Sequence, residues 1–354
     1  MSIETNGPGL DWPAVLTSLI ARKDLTEATA AAAMSAIMSQ EATSAQMAAF
    51  LVALRAKGET VDELAGLVDA MLSYATRIFV PGRSIDIVGT GGDRAHTVNI
   101  STMAALVIAG TGRTVVKHGN RAASSSAGSA DVLEALGLPL DLPIQRVVQI
   151  ASEVGITFCF ANVFHTSMAH SAATRRELGI PSVFNFVGPL TNPAQPAVIA
   201  LGCADLRMAP LMAGVLAKRG MSALVFRGED GLDEIVPTAA SRIWEVSGRE
   251  VTEHVVDTAA ELGLTPITVD QIRGADPAFN AQVVHRVLGG EQGAIREAVL
   301  VNASAALVAD GQLPGTAEGS LVDRLRAGLA HAATSIDDGQ AADVLARWLA
   351  AARS

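Results

Sequence analysis

A glycine-rich turn after an apolar run is the first place where this sequence could do chemistry. The segment 86–93 reads DIVGTGGD, so a short β-branched run leads into Gly89, Gly91 and Gly92. Glycine permits tight turns and leaves backbone N–H groups uncovered, which suits an anion such as a diphosphate. The helix that Asn99 opens adds free N–H groups and a dipole. The pattern predicts a phosphate-binding loop, with a plain strand-to-helix turn as the alternative.

The glycine spacing differs from that of two nucleotide-binding loops. No Gly-Lys-Ser/Thr closes the segment, and no third glycine completes G-x-G-x-x-G. The hydroxyls of Ser101 and Thr102 lie in the first turn of the following helix, where they can reach a phosphate or a metal ion. The sequence therefore predicts phosphate binding without a nucleotide P-loop or a dinucleotide fold.

A second polar loop, KHGNRAASSSAGSAD at 117–131, follows the predicted strand TVVK. Hydroxyls and backbone N–H groups bind phosphate oxygens without net charge, and Lys117 supplies a point charge. The C-terminal end of a strand is where α/β sheets bind ligands. The loop is therefore predicted to bind phosphate; a solvated surface loop is the alternative.

Two further clusters carry charge. Asp233 and Glu234 end the segment GEDGLDE, just after the predicted strand ALVFRG, and such paired carboxylates are suitable Mg²⁺ ligands. Spacing alone nevertheless favours an exposed acidic turn at this position. Arg175 belongs to an Arg-Arg pair in a predicted helix, where such pairs are usually solvated. Its planar fork of donors nevertheless fits a carboxylate.

The elements that must position these residues form two groups. The N-terminal part reads as helices, with Asp11 capping the first, Gly58 stopping another, and Thr60 with Glu63 forming a capping box. From Ile85 onward, β-branched runs alternate with helical stretches, which predicts a largely parallel sheet. The predicted strands are IDIV, TVVKHG, ITFCFA, AVIALGC, ALVFRG and RIWEV.

The expected fold class is α/β: a mainly helical N-terminal lobe and a larger α/β lobe with a mostly parallel central sheet. We expect the helical lobe to comprise residues 1–78, joined by a segment near 165–190. The α/β lobe is expected to comprise 79–164 and 191–354. The apolar excess of the helical lobe suggests a homodimer surface.

Composition excludes several classes of protein. The chain has 354 residues, a formal charge of −10 and 49% apolar residues. An acidic protein has no electrostatic reason to bind nucleic acid or an anionic membrane. No basic, apolar signal peptide begins the chain, and no apolar stretch reaches the roughly 20 residues of a spanning helix. Cys159 and Cys203 lie in apolar runs, which fits a reducing cytoplasm.

The ordered motifs resemble those of the anthranilate phosphoribosyltransferase family. They are GTGGD, NIST, KHGNRxxSSxxGSAD, RRELG, VFNFVGPLTNP, the acidic pair of GLDE and VNASAALV, and they cover nearly the whole chain. The resemblance implies transfer of the phosphoribosyl group from phosphoribosyl pyrophosphate (PRPP) to the amine of anthranilate, in tryptophan biosynthesis. It implies Mg²⁺ as cofactor, PRPP and anthranilate as small-molecule partners, and catalysis by electrostatics and positioning.

The resemblance also implies the site residues. Metal ligands would be Ser101, Asp233 and Glu234, and the anthranilate contacts would be Gly89, His118, Asn120 and Arg175. The residues expected at PRPP are Gly89, Gly92, Asp93, Thr97, Asn99, Ile100, Ser101, Thr102, Lys117, His118, Gly119, Asn120, Arg121, Ala122, Ala123, Ser124, Ser125 and Ser129.

Several positions depart from the family pattern. Asn162, Thr166 and Ala173 stand where proline is common, and Ala169 stands where a basic residue is common. These changes border the expected acceptor channel and keep open transfer to another aromatic amine. A nucleoside phosphorylase of the same structural class is a second alternative, although the acidic pair and the Arg175 motif argue against it. A nucleic-acid-binding relative would need a basic groove, which the acidic balance disfavours.

Overall fold

The computed structural model describes residues 10–122 and 126–353. The α-helices are α1 (Trp12–Ile20), α2 (Glu27–Met38), α3 (Ser44–Lys57), α4 (Val61–Ser73), α5 (Ile100–Gly110), α6 (Ser129–Ala135), α7 (Ile144–Val154), α8 (Ala161–Phe164), α9 (Ala172–Leu178), α10 (Phe184–Val187), α11 (Met208–Lys218), α12 (Thr258–Leu262), α13 (Pro277–Leu288), α14 (Ala294–Asp310), α15 (Leu321–Asp337) and α16 (Gln340–Arg353). Short 3₁₀ helices occupy Thr166–Ser171, Gly188–Leu190 and Val269–Ile272.

Local capping fixes the first helices where the sequence predicts them. Asp11 caps α1 by accepting from the backbone N–H of Ala14 at 3.1 Å. Gly58 ends α3 with φ at 94°. Thr60 and Glu63 form the predicted capping box at the start of α4. These boundaries are confirmed because each follows from hydrogen bonds within a few residues.

The chain divides into two compact units, the first of which comprises the described residues up to Arg77 together with Asn162–Pro193. Its helices α2 and α4 lie so close that a Cβ on Gly66 would meet the Glu27 carbonyl oxygen at 2.2 Å. The buried carboxylate of Glu63 accepts from Lys57 Nζ and from the Leu25 N–H, both at 2.8 Å. Helices α2 and α4 therefore pack with their backbones in close contact, and the buried charge of Glu63 is paired and hydrogen-bonded, as a buried charge must be.

The second unit comprises Ile78–Ala161 and the residues from Ala194 onward, and contains a seven-stranded sheet. The strands are β1 (Ser84–Gly89), β2 (Thr114–Gly119), β3 (Ile156–Phe160), β4 (Val198–Gly202), β5 (Ser222–Gly228), β6 (Ser241–Ser247) and β7 (Glu250–Val256). Their order is β3-β2-β1-β4-β5-β6-β7. The first five strands pair in parallel, whereas β6 and β7 pair antiparallel.

Strand β7 was not among the predicted strands. Its sequence EVTEHVV is almost wholly exposed, so it lacks the apolar alternation of a half-buried strand. This strand forms because it pairs with β6, not because its side chains are buried.

The strand order reverses between β1 and β4, because the chain adds β2 and β3 on one side and β5 on the other. Gly89 and Gly202, the last residues of these two strands, are partners in the ladder. Ligands of open α/β sheets bind at such a switch point. Among residues 10–122 and 126–353, no helix has both the length and the hydropathy to cross a membrane.

Candidate active site

Two glycines at the switch point make room for the backbone and side chain of Asp233. A Cβ on Gly89 would lie 2.3 Å from Asp233 Oδ2, and one on Gly202 would lie 1.6 Å from the Asp233 carbonyl oxygen. Neither contact is tolerable, so any larger residue at either position must displace Asp233. The glycine that the sequence assigns to phosphate binding at position 89 thus also admits the acidic segment.

The carboxylate of Asp233 rests on the glycine-rich loop. Its Oδ2 accepts a hydrogen bond from the backbone N–H of Gly91 at 2.7 Å, and the residue is 8% exposed. Burial, and secondly the charge of Asp93, raise the pKa of Asp233 to about 7, while the Gly91 N–H opposes the shift. The predicted metal ligand therefore lies buried against the loop, not on an exposed acidic turn.

Glu234 lies in the same cluster of negative charge. Burial raises the pKa of Glu234 well above its usual range, and the charges of Asp233 and Asp93 add to this. A Thr97 hydrogen bond and the charge of Lys117 oppose the shift. Within the described part of the chain, Glu234 Oε2 is buried without a hydrogen-bond partner. A buried carboxylate among like charges is neutralised either by a proton or by a bound cation.

Mg²⁺ fits this donor set. Among the residues described, no group of three or more His, Cys, Asp or Glu side chains is arranged to hold a metal ion. Mg²⁺, however, is commonly held by one or two carboxylates and completes its shell with water and substrate phosphates. Asp233 and Glu234, beside a phosphate-type loop, supply that kind of partial shell.

The other two acids of the segment organise its turn. Asp230 accepts from the Thr238 hydroxyl at 2.6 Å and from the Leu232 N–H at 3.3 Å. Glu229 pairs with Arg242 at 2.9 Å on the exposed surface. Both side chains are therefore engaged in contacts of their own, apart from Asp233 and Glu234.

Lys117 is directed into the sheet and is only 2% exposed. Its Nζ donates to the Ile87 carbonyl at 2.6 Å and to Ser101 Oγ at 3.1 Å. Burial lowers the pKa of Lys117 to about 8, against the raising effect of Asp86 and Glu234. The ammonium thus orients Ser101, and a direct contact between Lys117 and a phosphate stays a prediction.

The start of α5 borders the same loop. Ile100 is its first residue, and Asn99 precedes it without capping it through the side chain. Asn99 instead donates to the Ala127 carbonyl at 3.0 Å and accepts from Asn280 at 2.8 Å. Asn99 therefore ties the second loop to α13, and the uncapped N–H groups of α5 stay suited to an anion.

The glycine-rich loop bends through left-handed backbone conformations. Positive φ values occur at Gly91 (65°) and Gly92 (88°), and at the non-glycine residues Arg94 (61°) and His96 (54°). Such conformations are uncommon for residues with a Cβ and are frequent at ligand sites. Asp93, between them, accepts from the Ala95 N–H at 3.1 Å.

The second loop is held by a carboxylate that sequence reasoning missed. Asp131 Oδ2 accepts from the backbone N–H groups of Ala122 at 2.9 Å and Gly128 at 2.8 Å. Its Oδ1 accepts from Arg121 at 2.9 Å. The signal was present, because Asp131 stands three residues after Gly128, at the N3 position of α6.

The other predicted residues of this loop that the structure describes each form contacts of their own. Arg121 pairs with Glu134 as well as Asp131, and its guanidinium lies 5.6 Å from the centroid of the Phe160 ring. The buried residue His118 donates its backbone N–H to Asp86 at 3.1 Å. The Ser129 hydroxyl donates to the Asn120 carbonyl at 3.4 Å, beside Gly119. The predicted residues Ala123, Ser124 and Ser125 lie outside the described residues.

Arg175, the predicted acceptor contact, belongs to α9 of the helical unit. Its guanidinium stacks 5.1 Å from the centroid of the Phe184 ring. Burial lowers the pKa of Arg175, whereas Arg176 next to it is exposed. The guanidinium of Arg175 is thus oriented by the ring and partly removed from water, as binding of a carboxylate requires.

The segment that departs from the family pattern is anchored within the helical unit. The Thr76 N–H donates to the Phe164 carbonyl at 2.8 Å, and His165 Nε2 lies 2.9 Å from the Thr191 carbonyl oxygen. These bonds hold the segment at the adjacent residues Phe164 and His165, without the prolines common at positions 162, 166 and 173.

Comparison with known proteins identifies the family. Residues 82–342 match the α/β domain of a glycosyl transferase family, and residues 13–75 match its helical bundle domain. An anthranilate phosphoribosyltransferase from Arthrobacter sp. (strain FB24) is 59% identical over 345 residues, which are 98% of this chain and 97% of that protein.

Solved structures agree with the match in sequence. The anthranilate phosphoribosyltransferase of Thermus thermophilus has a TM-score of 0.89 at 39% identity, over 96% of this chain and 99% of its own. The enzyme of Saccharomyces cerevisiae in complex with PRPP and Mg has a TM-score of 0.85 at 25% identity, over 97% and 98%. The chain therefore belongs to the anthranilate phosphoribosyltransferase family, enzymes of tryptophan biosynthesis.

Proposed function

We propose that this chain carries out its family's reaction with the residues at the switch point of the sheet. The bond between ribose C1 and the diphosphate oxygen of PRPP breaks, and a bond from the anthranilate nitrogen to C1 forms. The products are N-(5-phosphoribosyl)anthranilate, pyrophosphate and a proton. The observation that supports this most is the buried Asp233 carboxylate on the Gly91 N–H, beside Glu234.

Departure of the diphosphate requires stabilisation of negative charge. Asp233, Glu234 and Ser101 would hold Mg²⁺, which neutralises charge on the leaving oxygens when bound. The backbone N–H groups between Gly89 and Asp93, with those at the start of α5, offer fixed donors to the same oxygens. Lys117 Nζ donates a hydrogen bond to Ser101 Oγ at 3.1 Å and so orients that hydroxyl.

The acceptor needs positioning more than activation. An aromatic amine is already neutral at pH 7, so the protein has mainly to hold its nitrogen in line with C1. Arg175 is proposed to bind the anthranilate carboxylate through its stacked guanidinium. The family pattern adds His118, Asn120 and Gly89 as acceptor contacts.

We also propose a homodimer formed through the helical unit. Ile20 at the end of α1 is 76% exposed and Val52 on α3 is 41% exposed, and both lie on this unit. Contact with a second copy would bury them. Light scattering should give twice the chain mass, and Ile20→Glu with Val52→Glu should give the monomer. A monomeric mass for the wild type would contradict the proposal.

One assay tests the reaction against its alternatives. Anthranilate fluorescence should fall when PRPP is added, only with Mg²⁺ and at the rate at which pyrophosphate appears. Turnover of another aromatic amine in preference to anthranilate would instead assign a different acceptor. Cleavage of a pyrimidine nucleoside by phosphate without Mg²⁺ would indicate a nucleoside phosphorylase.

A further inference from the structure

Asn302, a residue of the VNASAALV motif, forms hydrogen bonds with the backbone of the residue that follows the acidic pair. Asn302 lies within α14 and is 2% exposed. Its Nδ2 donates to the Ile235 carbonyl at 2.7 Å and to the Ala298 carbonyl at 2.8 Å. Its Oδ1 accepts from the Ile235 N–H at 3.2 Å. One amide thus binds both backbone groups of a single residue.

These hydrogen bonds fix the orientation of the segment that follows Glu234. The Ile235 N–H belongs to the peptide group that joins it to Glu234, so Asn302 holds the plane of that peptide. The orientation of the amide is unambiguous, because only Oδ1 can face an N–H donor. The Ile235 side chain is fully buried, so the segment has little freedom to turn away.

We infer that Asn302 is a positioning residue for the Asp233–Glu234 carboxylates, which it places for Mg²⁺ without touching metal or substrate. The inference rests on the proposed function, in which these carboxylates bind the metal. Residues that orient metal ligands typically change metal affinity about 10–100-fold when they are altered. Asn302 differs from the ligands in that it acts through the backbone.

The test compares two polar deletions on the same helix. Asn302→Leu keeps the approximate size of the side chain and removes its hydrogen bonds to Ile235. Ser304→Ala is the matched control, because the buried Ser304 hydroxyl donates to the Leu325 carbonyl at 2.7 Å and does not contact the acidic segment. Mn²⁺ binding is measured by electron paramagnetic resonance with PRPP present and no acceptor, and hydrogen exchange is measured for the peptide that contains Ile235.

Asn302→Leu should weaken Mn²⁺ binding about 10–100-fold and speed exchange at Ile235, with the KM for anthranilate unchanged. Ser304→Ala should leave both readouts at wild-type values, even if it lowers the melting temperature. Asn302→Asp, which keeps the acceptor for the Ile235 N–H but loses the donor, should be intermediate. It also supplies the test if Asn302→Leu does not fold.

Asp233→Asn separates the positioning role from the metal site itself. If Asp233→Asn weakens Mn²⁺ binding while both Asn302 variants bind as the wild type does, the positioning role is wrong and the metal site stands. An equal loss in Ser304→Ala would also overturn the positioning role. If Asp233→Asn binds Mn²⁺ normally, the carboxylates are not the metal site, and both proposals fall.

Discussion

Asp233 Oδ2 accepts a hydrogen bond from the Gly91 N–H at 2.7 Å, across 142 positions of sequence. The bond joins the acidic segment after β5 to the glycine-rich loop after β1. Both elements end at the same edge of the sheet, where the strand order reverses. The proposed metal ligand and the proposed phosphate-binding loop thus share one hydrogen bond, so a disturbance of either should disturb both.

Gly89→Ala should lower kcat/KM about 100-fold, which is the scale for loss of one well-placed electrostatic group. The new Cβ would lie 2.3 Å from Asp233 Oδ2 and would push the carboxylate off the loop. Steady-state kinetics check this, with Gly289→Ala as the control at an exposed position with φ at −79°. Full activity of Gly89→Ala would show that the position of Asp233 is not critical.

Asp131→Ala should raise the KM for PRPP about tenfold or more, since hydrogen bonds to a charged group contribute about 1.5–3 kcal/mol. The change releases the N–H groups of Ala122 and Gly128, which Asp131 holds together. Glu134→Ala is the matched control, because it removes only the exposed pair with Arg121. Equal effects of the two substitutions would contradict a role for the loop in binding PRPP.

Arg175→Ala should raise the KM for anthranilate about 10–100-fold and affect the KM for PRPP much less, because a charge-assisted pair with the carboxylate is lost. Arg176→Ala, on the exposed side of the same helix, should change neither constant. An unchanged KM for anthranilate in Arg175→Ala would remove this residue from the acceptor site.

His165 should make the protein sensitive to acid. Burial lowers the pKa of His165 below 6.5, and the hydrogen bond to the Thr191 carbonyl opposes this only in part. The folded state therefore binds fewer protons than the unfolded state just below pH 6.5. The stability due to the neutral ring is complete above pH 6.5 and is lost as the pH falls from 6.5 through the folded pKa.

The melting temperature of the wild type should thus fall more steeply between about pH 7 and pH 5 than that of His165→Gln, which retains an N–H donor. His285→Gln, at an exposed position on α13, should follow the wild type. Parallel curves for the wild type and His165→Gln would show that the ring is not held neutral.

The sequence predicted what depends on local pattern. The first helices, six of the strands and the glycine-rich loop carry signals within short stretches of chain. The spacing of the acidic pair favoured an exposed turn, and only the family resemblance indicated a metal site. The long-range contacts carried none. Nothing near Asn302 indicates Ile235 as its partner, and nothing near Gly202 indicates that it admits Asp233. The sequence did not indicate that Lys117 is buried either, because a lysine near the end of a strand, next to a polar loop, normally faces water.

The central claim is that the carboxylates of Asp233 and Glu234 hold the Mg²⁺ that stabilises the departing diphosphate. The most direct test is pyrophosphate release, measured while Mg²⁺ is titrated at saturating PRPP and anthranilate, for the wild type and Glu234→Gln. The account predicts an absolute Mg²⁺ requirement in the wild type and a half-saturating concentration raised on the order of 100-fold in the variant. An identical Mg²⁺ dependence in the two proteins, or no pyrophosphate from the wild type, would contradict it.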